Sequence, residues 1–234
     1  MSRRIVRISI DGLIAAGKST LLAGVEQRLR TRLAKHCALV VALEPIEQWQ
    51  ALDGKHDVLA YFYEAPEGGR AANFQNFAMT TRLRATNDAI ESSASADATL
   101  VVLSERSVES DRYVFVRLLA AEHKMSPLEV AAYEHDWDYW VERAAGGALD
   151  ALVLVDVDVA TALERARERA RDAESSLDAD YLSKLALAYR RALDAPPLSA
   201  LPQLQLRNVA LDDASLERTA DSLAHFIIND VLTR

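Results

Sequence analysis

An eight-residue segment near the N-terminus carries the residue types that bind nucleotide phosphates. Its spacing satisfies G-x-x-x-x-G-K-[ST], and it reads Gly12-Leu13-Ile14-Ala15-Ala16-Gly17-Lys18-Ser19. Glycines let such a loop turn tightly, so that successive backbone N–H groups face an anion. Lys18 is expected to reach the β and γ phosphates, and the Ser19 hydroxyl to ligate Mg²⁺. The alternative is a plain glycine turn, but a strand-like run before the segment and a helical pattern after it favour triphosphate binding.

Carboxylates follow two other apolar runs of the chain. Residues 38–43 stop at Glu44, and residues 99–103 lead to Glu105 and Arg106. Ligands of an open parallel sheet bind beyond the carboxyl ends of its strands. A kinase that phosphorylates a hydroxyl needs a carboxylate near the attacking oxygen, another for Mg²⁺, and cations for the phosphoryl group. Glu44 suits the first role, Glu105 the second and Arg106 the third. The alternatives are a solvated glutamate before a proline and a surface ion pair.

Arginines recur at every second residue in one charged segment, at Arg165, Arg167, Arg169 and Arg171. On a helix, Arg165 and Arg169 would share one face, and Arg167 and Arg171 another. Like charges at this spacing destabilise an isolated helix. A bound polyphosphate would relieve the repulsion, so we predict a lid over about 164–175 that closes on the nucleotide. The alternative is a solvated helix face.

The elements that must position these residues alternate along the chain. Strands are predicted at 5–10, 38–43, 99–103, 151–155 and, weakly, 203–206. Helices are predicted at 18–35, 57–63, 71–95, 108–123, 127–145, from 159, at 178–193 and at 213–232. Apolar strands that alternate with helices indicate an α/β fold, namely a P-loop NTPase-type parallel sheet of about five strands with helices on both faces and an arginine-rich lid.

Composition limits the class of protein further. The 234 residues fit one domain, 1–234. With 27 Lys and Arg against 35 Asp and Glu, the net charge is −8, which predicts no nucleic-acid polymer and no membrane as a partner. The single cysteine, Cys37, excludes a disulfide framework and is expected to be buried. The five histidines lack ligand spacing, so no histidine metal site is expected. No apolar run reaches about 18 residues, and the N-terminus leads straight into a strand. We therefore expect a cytoplasmic protein without a leader peptide.

Several short motifs follow one another along the chain, namely Ile14-Ala15-Ala16-Gly17-Lys18-Ser19-Thr20, Glu44-Pro45-Ile46-Glu47-Gln48-Trp49, Phe74-Gln75, Glu105-Arg106-Ser107-Val108, Ser110-Asp111-Arg112-Tyr113 and the arginine segment. Together they resemble the deoxynucleoside kinases, in particular the deoxycytidine and deoxyguanosine kinase branch. The resemblance covers about residues 5–195 in matching order.

The resemblance implies an enzyme that transfers the γ-phosphate of ATP to the 5′-hydroxyl of a deoxyribonucleoside, with Mg²⁺, in nucleotide salvage. Glu44 would be the base, with Arg106 and Lys18 beside it, and Ser19 and Glu105 would hold the metal. The residues implied to bind ATP are Gly12, Ala15, Ala16, Gly17, Lys18, Ser19, Thr20, Arg165, Arg169 and Arg171.

The same resemblance implies a nucleoside site. Trp49, Phe74 and Phe115 would wall the base, Gln75 would hydrogen-bond its edge, and Tyr63 and Glu174 would hold the 3′-hydroxyl. Ala78, Arg82 and Asp111 match the base end of the deoxycytidine kinase pocket. An Arg–Asp pair there occupies the room that a thymine methyl group needs, which predicts deoxycytidine or purine deoxynucleosides ahead of thymidine. The alternative is an ordinary structural ion pair.

The sequence departs from the family's pattern at several positions. Asp11-Gly12-Leu13 stands where the family usually shows Glu-Gly-Asn, Glu109 replaces a residue that is often aromatic, and the segment 67–72 differs. Tyr133, Trp137 and Trp140 recur at helical spacing and are expected in a core or facing a second copy, since family members are commonly dimers. A homodimer is therefore predicted.

Two other functions remain open at this point. A nucleoside-monophosphate kinase shares the phosphate loop and a lid, but Glu44 would repel the phosphate of its acceptor. A catalytically silent scaffold shares the fold, although intact Lys18, Ser19, Glu44, Glu105 and Arg106 disfavour it.

Overall fold

A five-stranded parallel sheet lies at the centre of the molecule. The computed structural model describes residues 4–33, 36–93, 99–144, 147–171, 177–207 and 210–234. The strands are β1 (Ile5–Gly12), β2 (Cys37–Ala42), β3 (Thr99–Glu105), β4 (Ala151–Asp156) and β5 (Gln203–Arg207). Their spatial order is β2-β3-β1-β4-β5, and every pairing is parallel. The carboxyl ends of β1, β2 and β3, from which the predicted site residues follow, therefore lie side by side.

Helices connect the strands. They are α1 (Lys18–Leu33), α2 (Ile46–Gln50), α3 (Val58–Glu64), α4 (Arg70–Glu91), α5 (Val108–Ser110), α6 (Arg117–Ala121), α7 (Pro127–Glu142), α8 (Val159–Arg169), α9 (Ala179–Leu193) and α10 (Asp213–Phe226). A π-helical segment, Asp111–Val116, joins α5 to α6, and a second one, Ile227–Val231, continues α10.

Helices cover both faces of the sheet. Successive strand residues point to opposite faces and therefore pack against different helices. In β3, Val101 and Leu103 join the large core that includes α1 and α10. Leu100 and Val102 pack instead with Ile90 of α4. The predicted α/β class with helices on both faces is confirmed. Cys37 is buried in the large core, as expected.

A second apolar cluster fills the space between α3, α4 and α7. Tyr133 and Trp137 of α7 are buried in it, so these two members of the aromatic stripe belong to the core. Trp140 does not, since 45% of it is exposed, next to Tyr139 at 49%. Among the helices in the described ranges, none has the length and apolar character needed to cross a membrane.

Several predicted boundaries differ from those of the structure. The helix predicted at 108–123 is α5, the π-helical segment and α6, and it ends at Ala121, just before His123 with φ +58°. The helices predicted at 71–95 and 127–145 end at Glu91 and Glu142. Helix α2 was not predicted, because five residues after Pro45 are too few to show a helical period.

Candidate active site

The phosphate loop links β1 to α1. Gly12, at the end of β1, has φ +149°, and a Cβ atom there would lie 2.5 Å from the carbonyl oxygen of Val155. Gly17 has φ +92°, and Ala15 also has a positive φ, +60°. Residues other than glycine rarely adopt positive φ angles, so the turns at Gly12 and Gly17 depend on glycine. Ala16 is buried in the loop, and Thr20 lies exposed in the first turn of α1.

Lys18 is buried at the start of α1. Its Nζ donates to the carbonyl oxygen of Leu13 at 2.9 Å. Burial, and next to it the positive charge of Arg106, lower the pKa of Lys18 to about 8, although the carboxylates nearby act in the opposite direction. The charged form is thus disfavoured in this structure, and an anion bound in the loop would favour it.

Ser19 and Glu105 lie together at the mouth of the loop. The Ser19 hydroxyl donates to Oε1 of Glu105 at 2.9 Å. Adjacent ligands of an octahedral Mg²⁺ with bonds of about 2.0–2.1 Å are themselves about 2.9 Å apart, so the two oxygens fit as neighbouring ligands. Within the described ranges there is no cluster of three or more His, Cys, Asp or Glu that could hold a metal. Mg²⁺ does not need one, because it usually keeps waters and substrate phosphates as its other ligands.

Glu44 is held between two guanidinium groups. Its Oε1 accepts from Nη1 of Arg106 at 2.7 Å and from Nη1 of Arg82 at 2.9 Å. Burial alone would raise the pKa of Glu44, but the charges of Arg106 and Arg82 outweigh it and hold the pKa far below its usual range. Only 7% of the side chain is exposed, so the alternative of a solvated glutamate before a proline is wrong. Glu44 is a buried, ionised acceptor.

Arg82 and Asp111 form a bidentate ion pair. Nε and Nη2 of Arg82 donate to the two carboxylate oxygens of Asp111 at 2.9 and 3.1 Å. Burial raises the pKa of Asp111, and the charge of Arg82 offsets part of that rise. Ala78 lies on α4 one turn before Arg82 and is buried. Gln75, a further turn back, is also buried, and its Oε1 accepts no hydrogen bond from any described residue.

Aromatic rings form one wall of the site. Trp49 and Phe74 meet edge to face with centroids 5.4 Å apart, and Phe62 stacks on Phe74 at 4.8 Å. The Trp49 indole donates to Thr81 at 2.9 Å, which fixes its orientation. Phe115 lies under the guanidinium of Arg106, with 5.2 Å from that group to the ring centre.

The arginine segment is only partly helical. Helix α8 ends at Arg169, and Ala170 has φ +49°, so Arg171 lies beyond the helix. The expectation that Arg167 and Arg171 share a helix face is therefore wrong. Arg165 donates from Nη1 to the carbonyl oxygen of Ala16 in the phosphate loop at 3.1 Å. Arg169 and Arg171 line the cleft beside that loop, whereas Arg167 is exposed.

One cleft brings most of the predicted residues together. Its lining includes Ala15, Lys18, Ser19, Glu44, Trp49, Tyr63, Phe74, Gln75, Ala78, Arg82, Glu105, Arg106, Asp111, Phe115, Arg169 and Arg171. Gly12, Ala16 and Gly17 form the backbone of the adjoining loop. Glu174 lies outside the described residues.

Other residues in or next to the cleft were given no role in the site by the sequence analysis. Ile14, Ile46 and Leu59 line the cleft, but isolated aliphatic residues in a sequence are ordinarily assigned to the core. Asp11 and Tyr189 are hydrogen-bonded to each other, and Tyr189 also accepts from Arg106 of the cleft. Two signals were available for Asp11, namely a carboxylate at the end of an apolar strand and the glutamate that the family usually shows at this position. Tyr189 had none, because it occupies an apolar position of an amphipathic helix.

Comparison with known proteins gives a consistent result. The family model for deoxynucleoside kinase matches residues 8–228. Human deoxycytidine kinase is 31% identical over 198 residues, which covers 78% of this chain and 73% of the relative. Chicken deoxycytidine kinase 2 is 31% identical over 200 residues, with 78% and 72% covered. A mitochondrial deoxyguanosine kinase of Xenopus laevis is 27% identical over 196 residues, with 78% and 71% covered.

Proposed function

Because the chain belongs to the deoxynucleoside kinase family, we propose that it transfers the γ-phosphate of ATP to the 5′-hydroxyl of a deoxyribonucleoside in nucleotide salvage. The observation that carries the proposal is the position of Glu44. This buried carboxylate lines the same cleft as Lys18 and Ser19 of the phosphate loop and the rings of Trp49 and Phe74. A hydroxyl acceptor and a triphosphate donor would meet there.

The donor end of the cleft suits a triphosphate. The loop backbone and Lys18 would hold the β and γ phosphates, and Arg169 and Arg171 line the same cleft. Arg165 is tied to the loop through Ala16. Ser19 and Glu105 would hold Mg²⁺, which supplies charge neutralisation at the phosphates when it is bound.

Glu44 would accept a hydrogen bond from the 5′-hydroxyl and orient it towards the phosphoryl group. Its low pKa makes it a weak base, so early proton abstraction is disfavoured. That fits a loose transition state, in which the hydroxyl loses its proton late and positioning supplies most of the rate. Arg106, in contact with Glu44, would stabilise the charge on the transferring group.

The base end of the cleft supports a choice among nucleosides. Trp49, Phe74 and Phe115 would wall the base, and Gln75 would hydrogen-bond its edge through Oε1, which accepts no hydrogen bond from the described part of the chain. Tyr63 and Glu174 are proposed for the 3′-hydroxyl. The Arg82–Asp111 pair is buried at this end together with Ala78 and leaves little room for a thymine methyl group. We propose deoxycytidine or purine deoxynucleosides as substrates ahead of thymidine.

An assay of ADP release with the four deoxynucleosides and their monophosphates in parallel tests the proposal. Turnover with deoxycytidine or a purine deoxynucleoside is expected to exceed turnover with thymidine in kcat/KM. Thymidine as the best of the four would refute the proposed base selection alone. Turnover only with monophosphates would favour a monophosphate kinase, although the negative charge of Glu44 in the cleft disfavours that reading. No turnover with any of them would favour a silent scaffold.

The assembly and location are parts of the same proposal. We propose a single kinase domain over 1–234, with the arginine segment as its lid, that forms a homodimer. The exposed side of α7 supports the dimer, because it presents Leu128, Tyr139 and Trp140 to solvent. We place the enzyme in the cytoplasm, where ATP and nucleosides are available. Microscopy of a fluorescent fusion in its host would test this against a mitochondrial location.

A further inference from the structure

Tyr189 of α9 connects Arg106 to the start of the phosphate loop. Nε of Arg106 donates to the Tyr189 hydroxyl at 3.4 Å, and that hydroxyl donates to Oδ1 of Asp11 at 3.2 Å. All three side chains are buried, with Asp11 at 0% and Tyr189 at 3% exposure. Asp11 immediately precedes Gly12, where the loop begins.

The chemistry of the three groups fixes the direction of these bonds. A guanidinium group only donates, a carboxylate only accepts, and a phenol has one proton to give. The Tyr189 proton must therefore point to Asp11, and an oxygen lone pair must face Arg106. Burial and the charge of Asp11 raise the pKa of Tyr189 far above its usual value, so the phenol stays protonated.

Tyr189 completes the set of contacts that holds Arg106. Nη1 bonds to Glu44 at 2.7 Å, Nη2 to the carbonyl oxygen of Gly12 at 3.2 Å, and Nε to Tyr189. Each guanidinium nitrogen thus has its own partner. The backbone of Arg106 has φ +60°, which residues other than glycine rarely adopt. Such a conformation persists only where the surrounding contacts enforce it.

The ring of Tyr189 acts on the same arginine as its hydroxyl. It meets Phe115 edge to face, with centroids 6.2 Å apart, and Phe115 lies under the Arg106 guanidinium. Loss of the hydroxyl alone would leave this packing in place and free Nε. The guanidinium could then rotate about its remaining bonds to Glu44 and Gly12.

We propose that Tyr189 is a positioning residue for phosphoryl transfer, which holds Arg106 at the angle needed to contact the transferring group and ties it to the phosphate loop through Asp11. The role rests on the proposed kinase function. Sub-ångström misplacement of a group that stabilises a transition state lowers the rate without a matching loss of substrate binding.

Kinetics of Tyr189→Phe test the proposal. We expect kcat to fall about 10-fold, with KM for the deoxynucleoside within about 2-fold of the wild type. Tyr181→Phe, a tyrosine on the same helix, is the matched control and should keep the wild-type kcat. In an Arg106→Lys background, Tyr189→Phe should lower kcat no further, because lysine has no guanidinium Nε for the Tyr189 hydroxyl to hold. A purely structural role of Tyr189 would lower the melting temperature of the variant and leave kcat intact. The effects of the two substitutions in the double variant would then be independent of each other. These results would overturn the proposal.

A second measurement does not depend on turnover. In a spectrum of ¹⁵N-labelled arginine, the Nε–H proton of Arg106 should be protected from exchange in the wild type and in Tyr181→Phe, and lose protection in Tyr189→Phe. Equal protection in all three would overturn the inference. Absence of turnover by the wild type would refute the proposed function alone, while the exchange measurement would still decide the role of Tyr189.

Discussion

Glu44 and Asp111 are both buried carboxylates beside Arg82, yet their pKa values move in opposite directions. Burial raises both, but Glu44 lies between Arg82 and Arg106, and the two cations together outweigh its desolvation. Asp111 pairs directly with Arg82, the charge of Glu44 works against that pairing by raising the pKa of Asp111, and burial prevails. At the residue scale, the number of guanidinium groups that contact a carboxylate thus determines whether it stays ionised and acts only as a hydrogen-bond acceptor. Glu44 is the carboxylate best prepared to receive a hydroxyl hydrogen bond at any working pH.

Glu44→Gln should keep the shape of the site and remove its acceptor charge. We expect kcat to fall by about 10²-fold or more, within the usual contribution of a positioned base, with KM for ATP changed less. Removing one charge from a buried network also destabilises the fold, by about 3–5 kcal/mol. Steady-state kinetics should therefore be measured well below the melting temperature of the variant. A kcat within about 3-fold of the wild type would contradict the role of Glu44.

Lys18 predicts how ATP binding depends on pH. Its pKa is lowered to about 8 in the free protein, and only its charged form attracts phosphate. Bound ATP should raise that pKa, so binding takes up a proton, and the affinity should fall as pH rises through 8. Titration calorimetry from about pH 7.5 to 9.5, in buffers with different ionisation enthalpies, measures both effects.

Lys18→Arg is the control for this pH dependence. Arginine stays charged over the whole range, so its weaker ATP binding should be nearly independent of pH. A wild-type affinity that is flat across the same range would show that the Lys18 ammonium is not the group that titrates.

At the scale of elements, the strands were predictable, whereas the short and irregular helices that follow them were not. Short apolar runs revealed all five strands, with ends within a few residues of the observed ones. Helix α2, which carries Trp49, is too short to show a period. The π-helical segment that presents Asp111 and Phe115 on one side depends on tertiary packing rather than local propensity. The sequence predicted most of the residues that line the cleft, but not the sharing of Glu44 by Arg82 and Arg106, nor the link through Tyr189.

Near the end of α8, one arginine lines the cleft and another is exposed. Variants of the two should therefore differ in kcat/KM for ATP. Arg169→Ala removes a cation that lines the cleft and should weaken kcat/KM for ATP about 10-fold, the worth of one charge-assisted hydrogen bond. Arg167→Ala removes an equally basic side chain from the exposed side of the same helix and should change kcat/KM less than about 2-fold. Equal losses in both variants would indicate a general charge effect and contradict the assignment of a lid.

The site joins distant parts of the whole molecule. Its groups come from the ends of β1, β2 and β3, from α4 and from α9, so residues from Asp11 to Tyr189 must be in place together. The parallel order β2-β3-β1 makes this possible, because it sets β3, which ends at Glu105, between the strand before the phosphate loop and the strand that leads to Glu44. Apolar surface away from this site therefore needs a different explanation. The exposed side of α7 is such a surface.

A homodimer through α7 would bury Leu128, Tyr139 and Trp140, which are 79%, 49% and 45% exposed in the single chain. Trp140→Glu would place a charge in that contact, and light scattering after size exclusion should then report the mass of one chain instead of two. Leu187→Glu is the matched control, since Leu187 is 44% exposed on α9 and should keep the dimer. A wild type that is monomeric at micromolar concentration would contradict the dimer, and dissociation by Leu187→Glu but not by Trp140→Glu would place the interface on α9. Since the phosphate loop and Glu44 are held within one chain, the monomeric Trp140→Glu variant should retain catalytic turnover.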